Sequence, residues 1–254
     1  MCFDFFKKKP IMWEHSKKVA LLLSINDYKG TENDLSGCNN DMLFAGNYIP
    51  DFQLRQFRDS QVLRKTFRDQ ILYAKQNAVY GDTIIVAYSG HGSYVKDVHG
   101  DEPDGVDETL YLYDGNFIDD ETQELLKDIP EGVTFVLVLD SCFSGNKPRD
   151  INSKSRFMPP KKCLPSYNRI KKAITAMSNV IVFSACAENE TSADALINGQ
   201  WNGAFSYYFW NCLDRNFTYR KWFEQVCLYL PNKNFNQHPT LEGSDELLDK
   251  VVFT

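Results

Sequence analysis

The chain has 254 residues, 43% of them hydrophobic and 14% aromatic, which suits one large globular domain with a sizeable core. A net charge of −6 argues against a general nucleic-acid binder, which needs a basic face. The seven cysteines form no Cys-x-x-Cys pair and no apolar run reaches the length of a membrane span, so disulfide scaffolding, structural zinc and membrane insertion are all disfavoured.

Residues 1–17 read as a tail. In "MCFDFFKKKPIMW" the lysines follow the phenylalanines and no apolar stretch follows the lysines, the wrong order for a signal peptide; a cytoplasmic protein is expected. From residue 18 onward, runs rich in Val, Ile and Leu alternate with helical patterns, the sequence form of a mostly parallel sheet with helices on both faces. The first run is "KVALLLSIN" (18–26), followed by a helix pattern over about 40–48 and a weaker strand at 52–57. Asp59 and Ser60 are N-cap residue types, predicting a helix from there to about Gln76. The strand "DTIIVAY" ends at Tyr88 and "SGHGS" follows at once. An acidic, glycine-bearing segment runs from Asp97 to Asp120, and "DETQELLKDI" predicts a short helix stopped by Pro130. The strand "VTFVLVL" then delivers "DSCFSG" at 140–145.

Between residues 146 and 172 the pattern fails. Four prolines and many basic residues there predict a long flexible loop inside a single domain spanning 18–254. A strand at 179–186, two aromatic helices at roughly 204–213 and 219–230, and "KVVF" complete the chain.

A cysteine closing an apolar run is usually a small core hydrophobe, so Cys142 alone carries little. A nucleophile needs a base. Of the four histidines, His91 alone follows a buried strand closely, flanked by Gly90 and Gly92. His91 and Cys142 each stand three residues beyond an apolar run, so parallel strands would bring both to the carboxyl edge of one sheet, where open α/β sheets place their sites. Asp140 lies two residues before Cys142 and should face the same cleft. It reads either as a cap for the following turn or as a counter-charge for a cationic substrate.

"YSGHGS" (88–93) together with "DSCFSG" resembles the catalytic pair of the metacaspases, including the bacterial orthocaspase type, within the caspase-like cysteine peptidases. "INDYKGTENDLSGCNND" (25–41) is similar to a second metacaspase signature, with an extra Asp27, and "DEPDGVDETL", "VFSAC" and "GAFSYYF" also match. The likeness runs from about Lys18 to the C-terminus. It implies a caspase–hemoglobinase α/β sandwich and a cysteine endopeptidase with His91 as base and Cys142 as nucleophile. The backbone amides of Gly92 and Cys142 would hold the oxyanion. Asp41, Asp140 and Ser184 would form a pocket for Arg or Lys before the cut, so the expected partners are protein or peptide substrates, handled by a monomer. Phe143 departs from the family, where His is frequent.

The resemblance also implies a Ca²⁺ site, stimulatory and formed by Asp107, Asp119, Asp120 and Asp150, with no organic cofactor. By composition alone these carboxylates could equally be a solvated loop. The basic loop reads either as a mobile insertion or as a self-processing segment, with Arg149, Lys154, Arg156, Lys161, Lys162 and Arg169 as the residues the enzyme's own pocket would accept. Two rival readings stay open: a catalytically silent caspase-like scaffold, and a cysteine hydrolase of small amides.

Overall fold

The computed structural model describes residues 17–30, 32–96, 106–142, 153–160, 177–187 and 190–254. In chain order it begins with β1 (Lys18–Ser24), α1 (Cys38–Tyr48), β2 (Gln53–Arg58), α2 (Arg64–Asn77), β3 (Thr83–Ser89), β4 (Gly92–Lys96), β5 (Val106–Leu112) and β6 (Gly115–Ile118). It continues through α3 (Asp119–Leu126), β7 (Thr134–Asp140), β8 (Lys154–Ser155), β9 (Val180–Ser184), β10 (Ala193–Ile197) and β11 (Gln200–Gly203). The last elements are α4 (Ala204–Asn211), α5 (Tyr219–Cys227), β12 (Thr240–Glu242) and α6 (Asp245–Leu248).

The apolar runs β1, β3, β7 and β9 lie side by side and parallel, in a six-stranded sheet of order β12-β9-β7-β3-β1-β2. β2 extends it in parallel and β12 closes the other edge antiparallel. Their near-continuous hydrophobicity follows from burial on both faces. Leu21, Ile84, Val86, Phe135 and Leu137 turn to one side, where Phe67 and Ile71 of α2 and Leu125 of α3 cover them. Leu22, Ile85, Val136 and Phe183 turn to the other, against Met42 of α1, Phe205 and Phe209 of α4 and Trp222 of α5.

Two small sheets sit at the carboxyl end of the central one: β4-β5-β6 and β11-β10-β8, both antiparallel. Neither is legible as strands in the sequence. β8 lies inside the predicted loop, so part of that loop is ordered main chain paired with β10. Residues 1–16 and loop residues 146–152 and 161–172 lie outside the described residues.

The predicted cap of α2 is displaced. The helix starts at Arg64, and Asp59 instead opens a 3-10 turn with φ 46°. The Asp59 carboxylate accepts from the backbone amides of Asn26 and Asp27, so it ties down the loop after β1 rather than the helix. "KVVF" forms no strand: Val251 makes one bridge to Thr218, while Val252 and Phe253 pack into the core.

Candidate active site

The register of β3 and β7 pairs Ser89 with Asp140, so the chain leaves both strands at one level. His91 and Cys142 each follow two residues later, and both are buried. The matching offset seen in the sequence therefore becomes spatial adjacency at the sheet's carboxyl edge.

His91 is held from three directions. Its amide donates to the Tyr28 hydroxyl at 2.6 Å, its carbonyl accepts from the Tyr88 hydroxyl at 2.9 Å, and its Nε2 lies 2.5 Å from the Asn33 carbonyl. A carbonyl can only accept, so the neutral ring carries its proton on Nε2. Nδ1 is left as the basic nitrogen, buried and without a hydrogen-bond partner. Burial pushes the imidazole down to about 4, against the backbone carbonyls of Asn33 and Arg156, which favour the cation. Burial likewise pushes the Cys142 thiol up to about 12, against the opposing pull of the Ser155 hydroxyl 3.6 Å from Sγ.

Segment 154–158 crosses this site, entering as β8 and making an isolated parallel bridge from Phe157 to Gly92. Ser155 pairs with Ala193, and the Arg156 amide donates to the Ser192 carbonyl at 3.1 Å. The Arg156 carbonyl accepts from two amides, Gly92 at 2.9 Å and Cys142 at 3.3 Å. Beyond it, the Met158 amide donates to the Gly92 carbonyl at 2.8 Å.

The Arg156 side chain is completely buried in a pocket of carboxylates. Nη2 meets Asp41 Oδ2 at 2.7 Å and Asp194 Oδ1 at 3.0 Å, while Nη1 meets Asp140 Oδ2 at 3.1 Å and donates to the Ser89 hydroxyl at 2.6 Å. Each carboxylate has further partners. Gly203 donates its amide to Asp41, Ser206 its amide and Ser192 its hydroxyl to Asp140, and Gly37 its amide to Asp194. Burial raises Asp41 to about 7 even with the guanidinium beside it.

A family profile described as the caspase domain matches residues 17–250. The chain belongs to the caspase-domain family and is a cysteine peptidase. Relatives of this caspase-domain protein include Metacaspase-1 of Schizosaccharomyces pombe, 29% identical over 91% of this chain and 68% of its own length. Metacaspase-1 of Pyricularia oryzae is 29% identical over 91% of this chain and 72% of its own. Metacaspase-1 of Yarrowia lipolytica reaches 30% over 90% of this chain but only 62% of its own length. A crystal structure of a Geobacter sulfurreducens protein superposes with TM-score 0.72 at 26% identity, covering 94% of this chain and 98% of that one. Caspase-1 of Spodoptera frugiperda shares the fold, with TM-score 0.61 at 13% identity over 90% of this chain and 86% of its own.

Of the residues singled out in the sequence, the caspase-domain fold brings together His91, Gly92, Asp41, Asp140, Cys142 and Arg156 around one strand. Ser184 stands elsewhere, at the end of β9, in register with Leu139 and Thr240. The hydroxyl on the guanidinium is that of Ser89. Asp194 was missed altogether, as were Ser192 and Gly203. The rule that named Asp140, two residues before Cys142, names Ser89 two residues before His91, so that signal was present. Lys154 is exposed, its Nζ donating to the Asp34 carbonyl. Asp107 on β5 and Asp119 at the start of α3 are buried, with Asp120 partly exposed beside it. Among the described residues no group of three or more His, Cys, Asp or Glu is placed to hold a metal. Phe143, Arg149, Asp150, Lys161, Lys162 and Arg169 lie outside the described residues.

Proposed function

We propose that this peptidase cuts polypeptides after Arg or Lys, with Cys142 as nucleophile and His91 as base and acid, and that its own Arg156–Phe157 bond is the first one cut. One observation carries the reading: the Arg156 guanidinium lies among three carboxylates while its carbonyl accepts from the Gly92 and Cys142 amides. Three acids around one cation require a cationic side chain, and a guanidinium can bridge them with its fork of donors.

The chemistry follows from the placements. Nδ1 of His91 takes the thiol proton as Sγ attacks the Arg156 carbonyl carbon. Charge developing on the carbonyl oxygen meets two amide donors already aimed at it. With the segment seated, burial keeps the thiol and the imidazole neutral, so proton transfer accompanies attack. The imidazolium then gives its proton to the Phe157 nitrogen, that peptide bond breaks, and a thioester to Arg156 remains. Water, deprotonated by the same nitrogen, attacks the thioester and regenerates the thiol. The free thiols at Cys38, Cys142, Cys186, Cys212 and Cys227 suit a reducing compartment such as the cytoplasm.

Two assays test this. Wild type and Cys142→Ala are incubated and their products sequenced: the wild type should yield a fragment beginning at Phe157, the variant none. Fluorogenic peptides with Arg, Lys or Asp before the reporter should be turned over in the order Arg, Lys, and not Asp. An intact wild-type band together with inert Arg peptides would favour the scaffold and sink the peptidase reading of this site.

Calcium stimulation belongs to the same reading. It rests on the family resemblance at Asp107, Asp119, Asp120 and Asp150, of which Asp107 and Asp119 are buried. The described carboxylates do not complete a site by themselves, and Asp150 would have to join them. Calorimetric titration of the Cys142→Ala protein should show Ca²⁺ binding that Asp119→Asn weakens. No heat of binding, with processing unchanged in chelator, removes calcium from the account.

A further inference from the structure

The chain through the site continues past Arg156, and there it meets groups that have no part in holding the guanidinium. The Met158 amide donates to the Gly92 carbonyl at 2.8 Å, and the Met158 carbonyl accepts from the buried Ser93 hydroxyl at 2.7 Å. Main chain beyond the cut is thus docked on β4 by donor and acceptor alike. The two side chains each have a defined place. The Phe157 ring stacks on Tyr94, with centroids 5.8 Å apart and planes 28° apart. Met158 is 5% exposed and joins the apolar cluster that includes Tyr28, Leu35 and Leu110. Its Sδ lies 3.4 Å from the Asn33 side-chain nitrogen. Asn33 also supplies the carbonyl that fixes the His91 tautomer, so the second pocket adjoins the base.

We propose that the enzyme also reads the two residues after the cut: an aromatic side chain at the first position, stacked on Tyr94, and a long apolar one such as Met at the second, buried beside Asn33. This rests on the reading of Arg156 as the residue before the cut. A second substrate molecule would occupy the same places that Phe157 and Met158 occupy here. The pocket at Met158 is apolar and closed from water, so a charged residue placed there is rejected, and glycine forfeits the burial.

Internally quenched peptides sharing Lys-Ser-Arg and continuing as Phe-Met, Gly-Gly or Asp-Asp test this on the full chain, beside an Arg-amide reporter with only a dye after the cut. The Phe-Met peptide should exceed Gly-Gly in kcat/KM by about tenfold or more, the size expected for burying one apolar side chain. Asp-Asp should be slower still. In Tyr94→Ala, a partly exposed position, the ratio of Phe-Met to Gly-Gly should fall. Equal kcat/KM for all three peptides, with the reporter cleaved, overturns this inference and leaves specificity for Arg standing. Failure of reporter and peptides alike overturns the reading of the site itself, and this inference with it.

Discussion

Arg156 is a fully buried cation whose three carboxylates are buried as well. Such a cluster is tolerable only because each acid has further donors, and removing the cation would leave uncompensated buried charge. Asp41 carries the clearest mark of this. Its folded pKa of about 7 lies above the ordinary 3.8, so the stability it contributes is full below 3.8 and is lost as pH rises towards 7. His91 behaves in the opposite sense. Its folded value of about 4 lies below 6.5, so its contribution is present above 6.5 and is lost as pH falls to 4. The two oppose each other over the same window, and the uncleaved Cys142→Ala protein should have a shallow pH dependence there. Adding Asp41→Asn, which keeps the size and an acceptor for the Gly203 amide, leaves the His91 contribution exposed. Stability should then fall by about 3 kcal/mol between pH 7 and pH 4, read from denaturant melts. Parallel pH slopes in the two proteins would show that these groups are not opposed.

At the level of elements, the pocket is made where β11 runs into α4. Gly203 ends β11, and a methyl group there would lie 2.1 Å from Asp140 Oδ2 and 2.6 Å from Arg156 Nη1. Gly203→Ala should therefore displace the guanidinium or the acid that binds it. Turnover of Arg peptides should drop by at least about tenfold, the loss expected for one charge-assisted hydrogen bond. Circular dichroism would confirm that the fold survives, and unchanged kcat/KM would place Gly203 outside the pocket. The central strands were legible because burial on both faces writes an unbroken apolar run. β8, β10 and β11 were not, because short strands at the sheet's end carry the polar residues of the site. Asp194, inside "SADAL", looks like a polar interruption until β10 brings it to Arg156.

For the molecule as a whole, the Arg156–Phe157 bond divides the central sheet. β1, β2, β3 and β7 precede it, whereas β9 and β12 follow, β9 hydrogen-bonding directly onto β7 and β12 onto β9. One face of the core joins Leu22, Ile85 and Val136 from the first part to Phe183, Phe209 and Trp222 from the second. Each such fully buried side chain is worth about 1.5–3 kcal/mol, so cutting one peptide bond leaves the fragments docked. Processed protein should give two bands on a denaturing gel and a single peak, at the elution volume of the uncleaved Cys142→Ala protein, in size-exclusion chromatography. Separate elution of the fragments would show that the cut dismantles the fold.

The sequence by itself determined the parallel sheet strands and the caspase-like class, and it named His91 and Cys142, because local hydrophobic runs end beside them and short motifs surround them. It named Arg156 only as one of six basic residues in a loop. The tertiary structure alone decided which of the six meets the acids, since Asp41, Asp140 and Asp194 come from α1, β7 and β10, elements far apart in the chain. It also put Ser89, where the sequence had named Ser184, on the guanidinium, because hydrogen-bond register, which no single strand encodes, sets which hydroxyl reaches it.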